Sequence, residues 1–192
     1  MRQRLTQFLL IASTLWLCWL AMMLVHESGH VIGGLCSGGT VRRMVWYPTV
    51  ISRTDVQPNP HPLIEVWAGP VIGSLAPLAA ALLCSLLRLR IAYLVWAIAG
   101  FCLIANGAYI GIGSIKPIGD AQELIEDGMP RWPMAAFGLV AVSTGMWIWD
   151  RVSTRFGFGA VPIPVTSRHS WGMFGVAVIV TVIGFVVGNK GL

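Results

Sequence analysis

Long apolar runs separated by short polar stretches divide the chain into five segments. The first run covers about residues 8–35, and its first 18 residues contain no charged side chain. Four further runs follow at residues 63–87, 91–115, 134–149 and 171–187, the last two being shorter but flanked by tryptophan. Because a membrane-spanning helix needs about 20 predominantly apolar residues, each run is a candidate span. The pattern therefore predicts an all-α polytopic membrane protein with about five transmembrane helices.

The polar connection after the first run has a different pattern. Its strand-forming residues are Val41, Val45, Tyr47, Val50 and Ile51. A Gly-Gly pair precedes them and a proline cluster follows, and such a composition between breakers is typical of short strands. We predict a short β-hairpin or re-entrant strand pair within residues 38–60. The sequence DAQELIED, at residues 120–127, predicts a short helix between the third and fourth runs.

The chain shows no internal repeat and no low-complexity tract, which favours a single membrane domain over residues 1–192. Within it we expect a core of three spans and the hairpin at residues 1–127, followed by two additional spans at residues 128–192. The two arginines ahead of the first run are also found in secretory signals. That run is longer than the 7–15 residues of a signal core, however, so we interpret it as a retained span.

Composition strengthens the membrane prediction. Apolar residues make up 56% of the chain and charged residues 11%, against about 25% charged residues in a typical soluble domain. The net charge of +5 is scattered over the loops without a basic stripe, which argues against a nucleic-acid partner. It fits charges that flank spans at lipid headgroups. We expect an integral, multi-pass protein whose partner is the lipid bilayer.

The sequence LVHESGHVIGG places an H-E-x-x-H motif, His26, Glu27 and His30, at the end of the first run. Ionisable side chains at membrane depth are costly and are usually paired, ligated or functional. Helical residues four apart share one face, so both imidazoles can bind one zinc ion while Glu27 acts as general base on its water. In the alternative interpretation, the histidines hydrogen-bond to neighbours or line a proton path without a metal.

A catalytic zinc site needs a third protein ligand and an open fourth position. Three candidates lie in loops or at the start of the second run: His61, His169 and Glu65. We favour Asp120, because Gly113, Pro117 and Gly119 break or bend the chain just before it and can turn its carboxylate back towards the bundle. The alternative role of Asp120 is to cap a helix that starts at about Ala121.

These motifs resemble the site-2 protease family of intramembrane zinc metalloproteases. The resemblance covers about residues 9–124 and includes the sequence Ala-Gly-Pro at residues 68–70, which is similar to the usual opening of the family's intervening span. It implies that His26 and His30 are zinc ligands, that Glu27 is the catalytic base, and that Asp120, in the family's second motif, is the third ligand.

The second motif departs from the family pattern at two positions. The family's Asp-Gly is Asp120-Ala121 in this chain, and Ser114 stands where the family has an asparagine, three residues before Pro117. The nearest asparagine is Asn106. The resemblance implies that an asparagine there helps to hold the substrate backbone, which makes Asn106 and Ser114 candidate substrate-binding residues.

The strand-forming stretch suggests a second way of holding substrate. A peptide bond inside a helix is shielded, so a substrate must be held extended, and adding it as a strand to an exposed edge achieves this. Val45 and Tyr47 are the candidate residues for this role. A plain hairpin at the membrane surface is the alternative.

Together, the motif and the resemblance predict an intramembrane zinc metalloprotease. Its substrate would be a membrane protein cleaved in or near a transmembrane helix. Two other functions stay open at this point. The first is a zinc-binding, non-proteolytic scaffold or regulator, and the second is a small transporter or proton conductor that uses the histidines as relay groups.

Overall fold

Helices dominate the fold of the computed structural model, which describes residues 2–159, 161 and 163–188. In chain order the helices are α1 (Arg2–Cys36), α2 (Pro62–Leu86), α3 (Ala92–Gly113), α4 (Asp120–Glu126), α5 (Arg131–Ser153) and α6 (Ser167–Gly188). A single 3-10 turn, Thr154–Phe156, extends α5. Residues 1, 160, 162 and 189–192 of the predicted domain lie outside the described residues.

Five of the described helices, all except the short α4, are long and apolar enough to cross a membrane. The predicted helical fold with about five spans and a small sheet after the first span is therefore confirmed. The longest helix, α1, has 35 residues. At about 1.5 Å per residue it is about 52 Å long, well beyond the roughly 30 Å of a hydrocarbon core. The H-E-x-x-H motif lies in the last third of α1.

The sheet consists of two antiparallel strands, β1 (Val41–Val45) and β2 (Arg53–Val56), with Met44 opposite Thr54. The predicted hairpin within residues 38–60 is present, but its second strand begins later than the strand-forming residues indicated. Tyr47, Val50 and Ile51 lie in the connection between the strands.

Side-chain packing explains why this connection is not a strand. The indole nitrogen of Trp46 donates to the Leu20 carbonyl of α1. Pro48 cannot donate a backbone hydrogen bond, and it packs at the Gly184 position of α6.

Small residues allow close contact between helices. On α3, Gly111 faces Gly138 of α5, and an added Cβ would lie 2.9 Å from the Gly138 Cα. On α1, Gly29 lies against the backbone of Gly69 in α2, where an added Cβ would lie 2.8 Å from Cα. Such glycine contacts are typical of helix packing in membranes. The second contact brings the start of α2 directly against the H-E-x-x-H motif.

The short helix α4 is anchored by its apolar side. Ala121 and Leu124 are fully buried. They belong to one cluster of buried side chains from α2, α3, α4 and α5: Val66, Ile110, Ala121, Leu124 and Met134. This packing fixes where the first residue of α4, Asp120, lies relative to α1.

Candidate metal centre

The two histidines of the motif lie on one face of α1, as their spacing predicted. Their Nε2 atoms are 3.0 Å apart, and the side chains are buried, His26 being 7% and His30 6% exposed. Gly69 of α2 contributes to this burial, because its missing side chain lets the α2 backbone pack directly against the His30 ring.

Asp120 completes a triangle with these histidines. Its Oδ2 lies 3.0 Å from His26 Nε2 and 3.3 Å from His30 Nε2. The helix cap is Gly119, with a φ angle of 53°, and Asp120 is the first residue of α4. The alternative in which Asp120 caps the following helix is therefore wrong, because the turn at Gly119 directs the carboxylate back to α1 instead.

The dimensions of the triangle fit a small metal ion. In tetrahedral zinc sites the ligand atoms lie about 2.0–2.1 Å from the ion, which places them roughly 3.3–3.4 Å from one another. The three edges here are 3.0, 3.0 and 3.3 Å. Two imidazole nitrogens and one carboxylate oxygen are also ligands that zinc accepts. His26, His30 and Asp120 thus form a group that can hold a metal ion.

The centre is open on the side of Asp120, whose side chain is 18% exposed. Burial by itself would raise the pKa of Asp120, but the close contacts of its carboxylate with His26 and His30 outweigh burial and hold the pKa well below its usual range. Burial raises the pKa of Glu123, one turn further along α4, and the negative charge of Asp120 raises it further.

Glu27 is only 3% exposed and is held by the hairpin. Its Oε2 accepts a hydrogen bond of 2.7 Å from the hydroxyl of Thr54 in β2. A buried carboxylate requires such a donor. Sequence reasoning missed Thr54, because the register that turns this residue towards α1 depends on where β2 begins.

The other candidates for the third ligand have different surroundings. Glu65 lies on the far side of the His30 ring, where its Oε1 is 2.9 Å from Nδ1. His61 precedes the first residue of α2. His169 of α6 pairs with the hydroxyl of Tyr93 through its Nδ1 at 2.9 Å. None of these three belongs to the group that can hold the ion.

The candidate substrate-binding residues have partners within the protein. Asn106 is 1% exposed, and its Oδ1 accepts a hydrogen bond of 2.6 Å from Nδ1 of His26. The Ser114 hydroxyl donates to the Gly111 carbonyl at 2.6 Å. Val45 ends β1, and the Tyr47 ring packs edge-on against Phe185 of α6. Their role in substrate binding stays a prediction.

Tyr109 is a residue of the centre that sequence reasoning did not find. Its hydroxyl contacts both the backbone and the carboxylate of Asp120. It lies three residues after Asn106 on α3, so both side chains fall on one helical face. This spacing of two polar residues in an apolar helix was the available signal.

Comparison of the chain with protein-family models, with curated proteins and with solved structures gives no match.

Proposed function

We propose that this protein is an integral, multi-pass membrane protein and a zinc-dependent endopeptidase similar to the site-2 proteases. Its substrate would be a membrane protein, cleaved in or near a transmembrane helix. The observation that carries the proposal is the convergence of His26 and His30 with Asp120, with edges of 3.0–3.3 Å. Glu27 follows His26 directly on the same helix.

The donor set fits zinc in a catalytic site. Three protein ligands leave a fourth position for water or substrate, and the exposed side of Asp120 provides an approach to it. A zinc ion bound there would polarise a peptide carbonyl and lower the pKa of a water molecule. The remaining tasks, proton transfer and substrate binding, fall to residues of the chain.

Glu27 is the group that moves the proton. Its carboxylate takes a proton from the attacking water as the oxygen bonds to the peptide carbon, and it delivers that proton to the amide nitrogen as the carbon–nitrogen bond breaks. The Thr54 hydroxyl, 2.7 Å from Oε2, leaves the other carboxylate oxygen available for this transfer. The hairpin thereby holds the base in position.

One observation favours a second candidate function, a zinc-binding scaffold or regulator that captures membrane helices without cutting them. Glu27 is 3% exposed, with one oxygen occupied by Thr54. A hydrolase must admit substrate to this base, whereas a non-proteolytic protein can keep it closed. The two functions share the zinc site and differ only in whether Glu27 is required.

The test is therefore a comparison of Glu27→Gln with wild type in detergent and in reconstituted vesicles. We expect Glu27→Gln to keep about one zinc per chain and to lose about 10²–10⁴-fold in cleavage of fluorescently labelled single-span peptides, which is the range of general-base catalysis. Glu126→Gln is the matched control, since Glu126 is an exposed acid on α4. Equal cleavage by wild type and Glu27→Gln would refute the protease and favour the scaffold.

A further inference from the structure

We propose that Glu65, Asn106 and Tyr109 lie behind the three metal-binding side chains and fix the state in which these can bind a metal ion. Each residue contacts a different ligand on the side away from the centre, and together they come from α2 and α3. This proposal rests on the metal site of the proposed function, but it does not depend on proteolysis.

Asn106 determines the state of His26. The Asn106 amide nitrogen donates to the Cys102 carbonyl at 2.9 Å, so its Oδ1 is the atom that faces His26 Nδ1 at 2.6 Å. A carbonyl oxygen only accepts hydrogen bonds. Nδ1 must therefore carry a proton, which leaves the Nε2 lone pair of the neutral ring directed at the centre. This contact is shielded from solvent, since Asn106 is 1% exposed.

Glu65 determines the state of His30 in the same way. The Nδ1 of His30 lies 2.9 Å from Glu65 Oε1 and 3.2 Å from the Glu65 backbone carbonyl. Both oxygens accept, so Nδ1 donates and Nε2 presents its lone pair. The second carboxylate oxygen accepts a hydrogen bond of 3.2 Å from the Asn59 amide. Carboxylate partners of this kind orient metal-binding histidines and raise their basicity.

Tyr109 determines the orientation of Asp120. Its hydroxyl accepts a hydrogen bond of 3.0 Å from the Asp120 backbone N–H and lies 3.3 Å from Oδ1, to which it donates. Oδ2 is thereby left to face the histidines. Gly119 makes room for this hydroxyl, because an added Cβ would overlap it. One oxygen atom thus fixes both the backbone and the carboxylate of the third ligand.

The three contacts have a common consequence. They bring two nitrogen lone pairs and one carboxylate oxygen within 3.0–3.3 Å of one another. When the rings are neutral with Nδ1 protonated, no proton lies between these atoms, and a cation would relieve their mutual repulsion. The protein therefore orients its metal-binding atoms before the ion arrives, and this orientation by the neighbouring residues raises metal affinity.

The test measures zinc affinity in the detergent-purified full chain by competition with a chromophoric chelator, with zinc as the only ligand. We expect Asn106→Leu and Tyr109→Phe each to weaken zinc binding about 10–100-fold. Glu65→Leu should do the same, whereas Glu65→Gln should stay near wild type because its amide oxygen still accepts from His30. A merely structural role would not separate these two substitutions.

Leu103→Ala is the matched control. Leu103 lies on α3 and is buried, but it packs on Ala141 and Ile148 of α5, so its truncation should lower stability and leave zinc affinity unchanged. Tyr109→Phe removes one oxygen and keeps the ring, so it should fold. Its zinc affinity tests the proposal even if Asn106→Leu does not fold. If Tyr109→Phe and Glu65→Leu both bind zinc with wild-type affinity, this proposal is overturned while the proposed function stands. The same holds if Leu103→Ala loses as much zinc affinity as these variants. Absence of zinc binding by wild type would overturn this proposal and the metal chemistry of the proposed function together.

Discussion

Gly69 in α2 allows a direct test of how tightly His30 is held. An added Cβ at Gly69 would lie 2.5 Å from Cε1 and 2.8 Å from Cδ2 of the His30 ring. Carbon atoms in ordinary contact are about 3.5–4.0 Å apart, so Gly69→Ala must displace the ring, or the helix carrying it, by roughly 0.7–1.0 Å. Ligand distances in metal sites are held within about 0.2 Å. The displacement is several times that tolerance.

We therefore expect Gly69→Ala to weaken zinc binding by about 100-fold, the upper end of the effect of disturbed ligand orientation. The assay is chelator competition on purified protein, together with zinc content after gel filtration. If Gly69→Ala binds zinc as tightly as wild type, the His30 ring can move without loss of metal affinity, and it is not held rigidly by α2.

Two further alanine substitutions separate ligand displacement from general packing damage. Among the described residues, no atom outside the neighbouring backbone of α6 lies within 4 Å of a Cβ added at Gly175, so Gly175→Ala should match wild type in zinc affinity. A Cβ at Gly107 of α3 would lie 2.7 Å from the Ala141 Cβ. Gly107→Ala should thus lower the Tm without changing zinc affinity, since neither residue contacts a ligand.

Two predictions concern the surroundings of the centre. Thr54→Val removes a hydrogen bond to the buried Glu27 carboxylate, so we expect a loss of about 1–3 kcal/mol in the free energy of unfolding; Thr54→Ser should retain stability, and equal losses in both would refute the hydrogen bond. Partial burial and the negative charge of Asp120 raise the pKa of Glu123 in the folded protein. At a pH above that pKa, the ionised Glu123 carboxylate lowers the free energy of unfolding, and protonation at low pH removes this loss. Glu123→Gln should raise the Tm of the metal-free protein at pH 7 and leave it unchanged below about pH 4; the same gain at both pH values would contradict this.

Continuous apolar runs and one short motif were enough to predict the spanning helices, the presence of a hairpin and the shared helical face of His26 and His30. The spans could be predicted because each run is long and continuous, and His26 and His30 because their spacing alone places them on one helical face. Asp120 was predicted from the helix-breaking residues before it.

The contacts of Glu65, Asn106 and Tyr109 with the centre could not be predicted in the same way. The spanning helices are apolar nearly all round, so the sequence has no amphipathic face that reveals which side of α2 or α3 points at α1. The rotation of these helices about their axes is set by glycine contacts. Gly29 of α1 packs against the backbone of α2, and Gly73 of α2 packs against the Asn106 side chain of α3. Glu65 was therefore visible as a polar residue, but its position behind His30 rather than beside Asp120 was not.

The alanine after Asp120, where the resemblance led us to expect glycine, has a structural explanation. Ala121 is fully buried, so its methyl group needs space inside the bundle. That space comes from Gly113 at the end of α3, where an added Cβ would overlap the Ala121 methyl group. The missing side chain at Gly113 thus leaves room for the methyl group at residue 121. Since α4 has only seven residues and so short a helix is unstable alone in water, this packing also gives Asp120 a fixed support. The alanine after Asp120 therefore leaves Asp120 in place beside His26 and His30.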